Sequence, residues 1–273
     1  MKNRDIDLVK TAVIGAPVRK EESVGELIRT VVYALLIALV IRTLAFEPFN
    51  IPSGSMTPTL LTGDYVFVSK FSYGYSAHSL PFAPSFLHGR LFGSLPKRGD
   101  VAVFVNPHTG EDYIKRIVGL PGDKIQIVHG ILTINGEAST RERVSDYTEH
   151  EWSENYNRPD DEVRYHYIET MPKLDGQGGV KHDILGNYIS QPEDSLPQDD
   201  TDVFEVPADR FFAMGDNRDN SNDSRLDLGY VPVENLVGRA DRRFISLTAG
   251  AHLWEIWNWP WTLRFSRFLG PVN

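Results

Sequence analysis

The residues that could do chemistry in this sequence lie in three short blocks. The first block, Ile51 to Leu60, reads IPSGSMTPTL and places a glycine between two serines. Gly54 allows close backbone approach and unusual dihedral angles, so one of the two hydroxyls could be presented to a substrate. The second block, Tyr113 to Asp123, reads YIKRIVGLPGD, and the third block, Met214 to Arg225, reads MGDNRDNSNDSR. A presented hydroxyl with a nearby base is the arrangement of nucleophilic catalysis, although a Ser-Gly-Ser turn alone is usually only a turn.

Other catalytic arrangements find little support. The absence of cysteine excludes a thiol nucleophile, disulfides and iron–sulfur clusters. The eight histidines are scattered, and no HExxH, GxSxG, GxGxxG or GxxxxGK(S/T) motif occurs. Asp219 to Tyr230 resembles a calcium loop only in part, because Ser224 stands in place of the glycine and Tyr230 in place of the bidentate glutamate. Ser94 to Lys97 matches Ser-x-x-Lys, but Pro96 disfavours a helical turn there. We therefore predict no metal and no cofactor.

The three blocks, in this order after an apolar N-terminal segment, closely resemble the type I signal peptidases, the bacterial leader peptidases. The resemblance covers roughly residues 46–136 and 203–238, and includes GDVAVF at Gly99 to Phe104. It implies a Ser/Lys-dyad serine protease in which Ser55 is the nucleophile and Lys115 is the general base. It also implies that Ser53 and the Ser55 backbone N–H stabilise the oxyanion, and that the Ser221 hydroxyl orients the lysine.

Further side chains of the blocks are expected to support this site. Four charged residues of the third block should hold its loop in place, with the last two as the best pair: Asp216, Arg218, Asp223 and Arg225. Asn217 and Asn220 are expected to serve the turn itself. The resemblance also implies a substrate that binds as an extended strand, with shallow pockets for small side chains of the Ala-x-Ala type. These pockets are expected to be lined by Ile51, Pro52, Tyr113 and Ile114.

A lysine can act as a base only if its pKa is strongly lowered. At an ordinary pKa near 10.4, only about four lysines in ten thousand are neutral at pH 7. Burial among apolar groups can lower a lysine pKa by about 3–5 units. Alternation along a strand does not decide whether Lys115 or Arg116 is buried, because both faces are partly apolar. The choice of Lys115 rests on the resistance of arginine to deprotonation and on the resemblance.

An apolar segment precedes the three blocks. Leu27 to Phe46 reads LIRTVVYALLIALVIRTLAF, and as a helix it would span about 30 Å if Arg29 and Arg42 snorkel to the interfaces. We interpret residues 27–46 as one transmembrane helix. A buried core helix is the first alternative, but the segment is apolar all round. A cleaved signal peptide is the second, with Thr43 to Ala45 as a weak cleavage site.

Charge near this helix predicts its orientation. Six basic residues lie upstream of its apolar centre: Lys2, Arg4, Lys10, Arg19, Lys20 and Arg29. By the positive-inside rule, residues 1–26 form a cytoplasmic tail and residues 47–273 an extracytoplasmic domain. With the resemblance, this predicts a single-pass protein of the bacterial inner membrane with a periplasmic catalytic domain. Ser55 lies nine residues after Phe46, at most about 30 Å of extended chain from the membrane segment.

Beyond the helix, strand signals dominate. Asp100 to Val105, Tyr113 to Val118, Lys124 to Val128 and Ile131 to Ile134 are short β-rich runs. His129-Gly130 and Asn135-Gly136 mark tight turns after the third and fourth of these runs. We predict a mainly β protein: an antiparallel β-sheet catalytic domain with an inserted subdomain.

The insertion is predicted over residues 137–202 from its composition. Asp146 to Asp202 holds 15 acidic and four basic residues, and we interpret it as an exposed, partly loop-like insertion with a solvated acidic face. The whole chain has 28 basic and 37 acidic residues, a net charge of −9. Without this stretch, 24 basic and 22 acidic residues leave a net charge of +2. The acidity thus belongs to one insertion, and the overall balance argues against a nucleic-acid partner.

The C-terminal stretch 253–268 is rich in tryptophan. It carries four of the five tryptophans together with two phenylalanines and two arginines. These residue types suit the headgroup region, so we predict a membrane-proximal tail, with ordinary core packing as the alternative.

The pattern as a whole predicts a membrane-bound serine endopeptidase that removes signal peptides from secreted preproteins. Its expected partners are preprotein signal peptides, the phospholipid membrane and the secretion translocon. A membrane-tethered β module without catalytic activity is the alternative, but only a peptidase accounts for all three blocks together.

Overall fold

The computed structural model describes residues 24–80, 89–153, 158–174, 176–186 and 196–272. The predicted cytoplasmic tail, 1–26, therefore lies almost wholly outside the described residues. The same holds for parts of the predicted insertion, at 154–157, 175 and 187–195.

The N-terminal apolar segment forms helix α1, Val24–Leu44. Its 21 residues span about 32 Å, so it is long and apolar enough to cross a membrane. No residue of α1 is buried, which contradicts the core-helix alternative. The helix begins three residues before the predicted 27–46 and ends two residues before it. It ends early because Phe46 already pairs with Ser69 in the first strand of a sheet.

A seven-stranded antiparallel sheet contains most of the second block and the first residue of the third, and the first block follows one of its strands. Its strands are β1 (Phe46–Asn50), β2 (Asp64–Ser69), β5 (Val101–Val105), β6 (Asp112–Gly119), β16 (Arg210–Met214), β17 (Val231–Pro232) and β18 (Leu236–Ser246). The strand order is β1-β2-β18-β5-β6-β16-β17. Between β2 and β5 lies a small ribbon of β3 (Tyr75–Ser76) and β4 (Arg90–Leu91).

Two strands of the sheet place the reactive blocks. The valine-rich β5 and the isoleucine-rich part of β6 are buried on both faces, as the central strands of a sheet are. The first block follows β1, and the third block begins where β16 ends. The mainly β, antiparallel prediction is confirmed.

A second sheet follows β6 directly. It contains β7 (Lys124–Val128), β8 (Ile131–Ile134), β9 (Glu137–Ala138) and β15 (Phe204–Glu205), in the order β15-β7-β8-β9. Both predicted tight turns are confirmed: φ is 49° at His129 and 75° at Gly130, then 53° at Asn135 and 84° at Gly136. Two successive residues with positive φ match the turn type that suits the right-handed twist of a hairpin.

The acidic insertion is more regular than its composition suggested. Its strands are β10 (Thr140–Ser153), β11 (Arg158–Thr170), β12 (Lys173–Leu174), β13 (Gln177–Gly178) and β14 (Lys181–Gly186). β10, β11 and β14 form an antiparallel sheet, so much of this partly loop-like region is strand. Cross-strand contacts allow charged residues to form strands here, as where the Arg143 guanidinium lies 4.1 Å from the centre of the Tyr165 ring.

The tryptophan-rich tail leaves three of its four tryptophans exposed, namely Trp254, Trp257 and Trp261. It contains one helical turn, α2 (Trp259–Thr262). Trp254 is 68% exposed and Trp261 is 79% exposed, which contradicts the core-packing alternative. The two arginines of this stretch lie beside a buried carboxylate. Arg267 forms an ion pair of 2.6 Å with the buried carboxylate of Asp64, and Arg264 lies 3.8 Å from it.

Candidate active site

The first block folds into a short turn, one side chain of which is buried in the hydrophobic core. Gly54–Met56 forms one turn of 3-10 helix, and the Thr57 N–H donates to the Gly54 carbonyl at 3.0 Å. Met56 is fully buried and packs in the hydrophobic core, which fixes the turn beneath Ser55. Because Gly54 lies in this helical turn, it does not use the positive φ that glycine allows. We call Gly54–Met56 the nucleophile turn.

β6 brings the lysine of the second block to this turn. The Lys115 Nζ donates a hydrogen bond of 2.5 Å to the Ser55 Oγ, across 60 residues of sequence. Lys115 is only 4% exposed. The pairing of β6 with β5 on one side and the packing of the nucleophile turn against β6 together position the two atoms.

Burial changes the acid–base behaviour of this lysine. Desolvation lowers the pKa of Lys115 from 10.5 to about 8, although the carboxylates of Asp223 and Asp216 act in the opposite direction. At a pKa of about 8, about one lysine in ten is neutral at pH 7, compared with fewer than one in a thousand for an exposed lysine. A neutral amine at 2.5 Å from a hydroxyl can accept its proton.

The neighbouring Arg116 is buried just as deeply but is fully paired. Its Nε donates to the Asp216 Oδ1 at 2.8 Å, and its NH2 donates to the Asp216 Oδ2 at 2.7 Å. The Thr59 hydroxyl donates to the same carboxylate at 2.6 Å. Burial alone would raise the pKa of Asp216, but Arg116 holds it below its ordinary value. The pair ties β6 to the first residues of the third block.

A second buried pair lies inside the third block. The Arg225 Nε donates to the Asp223 Oδ1 at 2.9 Å, and the Arg225 NH2 donates to the Asp223 Oδ2 at 2.8 Å. The Asp223 Oδ2 also accepts the Gly215 N–H at 2.9 Å. A Cβ added at Gly215 would overlap the Ser221 hydroxyl and lie 2.5 Å from the Ser55 carbonyl oxygen. The loop therefore packs directly against the nucleophile turn.

The four charged residues of the third block are all buried and paired, and the Arg225 NH2 also donates to the Arg218 carbonyl at 2.6 Å. Only Asp223 and Arg225 pair with each other, while Asp216 pairs with Arg116 of β6. Arg218 pairs with Glu169 of the insertion, with its NH1 3.0 Å from the Glu169 Oε1. Asp216 and Arg218 thus connect the loop to other parts of the chain, while Asp223 and Arg225, expected as the best pair, bond to each other.

Glu169 was not singled out from the sequence. It is fully buried and also bonds to the Arg141 Nε at 3.0 Å. Burial favours a raised pKa for Glu169, but the charges of Arg218 and Arg141 hold it well below its ordinary value. Nothing in a strongly acidic stretch distinguishes one buried glutamate from the exposed ones, so only the folded contacts reveal it.

The two remaining serines of the predicted site lie close to Ser55. The Ser53 Oγ is 3.5 Å from the Ser55 Oγ, at the limit of hydrogen-bond distance. The Ser221 Oγ is buried, and within the described residues it has no hydrogen-bond partner. The predicted bond from Ser221 to Lys115 is therefore not formed here, and the roles of both serines stay predictions.

The predicted pocket residues differ in their exposure. Pro52 is exposed, and Tyr113 is half-buried with its ring centre 5.5 Å from the Lys115 Nζ. Ile51 and Ile114 belong to the hydrophobic core, and Ile51 is only 1% exposed. Ile51 can therefore contribute at most the floor of a shallow pocket. Among the described residues, no group of three or more His, Asp or Glu side chains is placed to hold a metal ion.

The Ser55 hydroxyl is bonded to the buried Lys115 amine, and among the described residues no histidine lies in hydrogen-bond contact with either side chain. Residues 24–245 match the family model described as signal peptidase, peptidase S26.

Individual relatives are similar over most of their length. The signal peptidase I of Rickettsia prowazekii (strain Madrid E) is 40% identical over 228 residues, which cover 82% of this chain and 80% of the relative. The signal peptidase I of Rickettsia massiliae (strain Mtu5) is 41% identical over 229 residues, with the same coverage. A solved signal peptidase I structure from Enterococcus faecalis V583 is 23% identical and covers 54% of this chain and 97% of its own, with a TM-score of 0.29.

The chain belongs to the signal peptidase family, peptidase S26. It is therefore a serine endopeptidase, as the sequence predicted. Family membership also decides against the alternative of a β module without catalytic activity.

Proposed function

We propose that this protein is a membrane-bound endopeptidase that removes N-terminal signal peptides from secreted preproteins, with Ser55 as nucleophile and Lys115 as general base. The single observation that carries the proposal is the hydrogen bond of 2.5 Å between the Lys115 Nζ and the Ser55 Oγ. The lowered pKa of Lys115 supports it, because a base must be neutral to accept a proton.

The reaction proceeds in two halves. Neutral Lys115 accepts the proton of the Ser55 hydroxyl as the oxygen attacks the scissile carbonyl, and a tetrahedral oxyanion forms. The Ser55 backbone N–H and the Ser53 hydroxyl donate to that oxyanion. The intermediate collapses to an acyl-enzyme, and Lys115 gives its proton to the departing amine. Lys115 then accepts a proton from the water that attacks the ester, and returns it to the Ser55 oxygen as the second intermediate collapses and releases the acid.

The edge of β6 supports binding of an extended substrate. Arg116 to Gly119 pair with β16, whereas Asp112 to Lys115 pair only with β5 among the described residues. The unpaired backbone on the other side of Asp112 to Lys115 can accept a peptide as an additional strand. Ile51, Pro52, Tyr113 and Ile114 would line pockets that admit small side chains, as an Ala-x-Ala signal requires.

The helix and the tail support action at a membrane. α1 anchors the chain with its N-terminus in the cytoplasm and the catalytic domain in the periplasm, by the positive-inside rule. The exposed tryptophans of residues 253–268 suit the interface between lipid and water. Preproteins that emerge from the secretion translocon would then reach Ser55 while their signal peptides are still in the membrane.

Processing of a purified preprotein tests this proposal. We expect full-length wild-type enzyme in detergent to release the mature protein, and Ser55→Ala and Lys115→Ala to release none. Ser94→Ala and Lys124→Ala, which change exposed residues of the same types, serve as matched controls and should be fully active. A preprotein with phenylalanine just before the cleaved bond should resist cleavage. Full activity of Ser55→Ala or Lys115→Ala would refute the dyad.

A further inference from the structure

The inserted sheet is joined to the third block through the backbone. Leu185 of β14 forms a parallel bridge with Asn217. The Leu185 N–H donates to the Asp216 carbonyl at 2.9 Å, and the Arg218 N–H donates to the Leu185 carbonyl at 2.8 Å. The insertion is therefore built onto the loop that packs against the nucleophile turn, and it is not a separate acidic appendage.

Asn217 carries this connection to the nucleophile turn. Its backbone N–H donates to the Ser55 carbonyl at 3.1 Å, and its Nδ2 donates to the Gly54 carbonyl at 3.1 Å. Asn217 is fully buried. Two successive carbonyl groups of the nucleophile turn are thus held by one residue, which the sequence had indicated only as a turn former.

Arg164 of β11 determines how the Asn217 amide is oriented. The Arg164 NH1 donates to the Asn217 Oδ1 at 2.9 Å, and Arg164 is only 5% exposed. A guanidinium offers donors and no acceptor, so it selects the amide orientation that presents oxygen to it. In that orientation the amide nitrogen faces the Gly54 carbonyl. A flipped amide would place its NH2 against Arg164 and its oxygen against the Gly54 oxygen.

We propose that Arg164, in the inserted subdomain, is a positioning residue for Ser55 that acts through Asn217. The inference rests on the proposed function, since it assigns Arg164 a part in holding the nucleophile. Loss of the guanidinium removes a buried donor from the Asn217 Oδ1 and thereby weakens the hold of the Asn217 amide on the Gly54 carbonyl. Displacing a reacting group by about 1 Å costs as much as about 100-fold in rate, and we expect Arg164→Met to lower kcat by about 10-fold to 100-fold.

Steady-state kinetics on a peptide substrate test the proposal, with kcat expressed per folded enzyme. Arg164→Met should lower kcat with little change in KM, and Arg164→Lys should restore part of it. Asn217→Ala should have a similar effect, and in that background Arg164→Met should change kcat no further. Arg143→Met is the control: Arg143 is an arginine of the same sheet that pairs with exposed Asp146 and lies over the Tyr165 ring, so its loss should change kcat less than about twofold.

Hydrogen exchange gives a readout that does not depend on activity. The amides of residues 54–60 should exchange at least about tenfold faster in Arg164→Met than in wild type, and at the wild-type rate in Arg143→Met. Unchanged exchange and unchanged kcat in Arg164→Met would overturn the inference, as would equal losses in Arg164→Met and Arg143→Met. An inactive wild type, or an active Ser55→Ala, would refute the proposed function instead, and the exchange measurement would still decide the role of Arg164.

Discussion

Lys115 and Arg116 follow each other on β6 and are both buried, but they differ in the partners that their side chains bind. Arg116 is 1% exposed and carries a two-bond ion pair to Asp216. Lys115 is 4% exposed, and among the described residues no carboxylate lies within ion-pair distance of its Nζ, which bonds to the Ser55 hydroxyl. Pairing stabilises the charge of Arg116, whereas desolvation disfavours the charge of Lys115. One strand thus supplies a fixed ion pair on one face and a candidate base on the other.

The largest expected effect follows from exchanging the two residue types. Lys115→Arg places a permanently charged group at the Ser55 hydroxyl, because arginine is not deprotonated in proteins. We expect kcat to fall by about 10⁶-fold, as loss of the nucleophile or its base does in a serine protease. Lys124→Arg, which changes a residue of an exposed ion pair, should leave kcat unchanged. Peptide-cleavage assays measure both, and a Lys115→Arg enzyme with one tenth of wild-type activity would contradict a proton-accepting role.

Removing the paired cation should destabilise the fold. Arg116→Met leaves the carboxylate of Asp216 buried without its main partner, which costs about 3–5 kcal/mol in comparable cases. Chemical denaturation in detergent measures the free energy of unfolding. A loss below about 1 kcal/mol would show that the buried pair is not needed to hold Asp216.

Removing the other buried cation, Lys115, should instead increase the free energy of unfolding. The folded-state pKa of Lys115 lies at about 8, below its ordinary 10.5, so at pH 7 the folded protein bears a cost of about 3 kcal/mol that the unfolded chain avoids. We expect Lys115→Met to raise the free energy of unfolding at pH 7 by about 1–3 kcal/mol while abolishing activity.

The pH dependence sharpens this prediction. Between about pH 8 and pH 10.5 the unfolded chain binds a proton at Lys115 that the folded protein lacks, so wild-type stability rises with pH relative to Lys115→Met. The advantage of the variant should therefore be constant below pH 8 and shrink through this window. If Lys115→Met were less stable than wild type at pH 7, burial of the charged Lys115 amine would not lower the free energy of unfolding.

The smallest expected effect comes from the conservative change at the paired residue. Arg116→Lys keeps the charge but loses the two-bond geometry toward Asp216, so we expect a loss of about 1 kcal/mol in stability and near-normal kcat. Thermal unfolding and peptide cleavage check it. A loss as large as that of Arg116→Met would mean that geometry, rather than charge, dominates this pair.

The sequence predicted the fold where local signals are strong. Apolar runs and Gly turns indicated β5 to β8 correctly, and the apolar segment indicated α1. How much of the insertion is strand could not be predicted, because the cross-strand pairing that lets charged residues form β10 and β11 leaves no signal in composition.

Only those residues of the candidate site that lie within the three blocks could be predicted from the sequence. The three blocks suggested Ser55 and Lys115, and the structure brings the two side chains together. The partners of Asp216, Arg218 and Asn217 were missed, because Arg116, Glu169 and Arg164 come from distant strands and such contacts depend on the tertiary fold. Alternation on β6 could not rank Lys115 against Arg116, and the structure shows why: both are buried.

Direct titration of the Lys115 Nζ tests the central claim. Selective ¹⁵N labelling of lysine in the full-length protein, with Lys115→Met used to assign the signal, gives the pKa of this amine by NMR. The account predicts a midpoint of about 8. A midpoint near the ordinary value of 10.5 would contradict it, because the amine would then be charged in all but a trace of the enzyme at neutral pH.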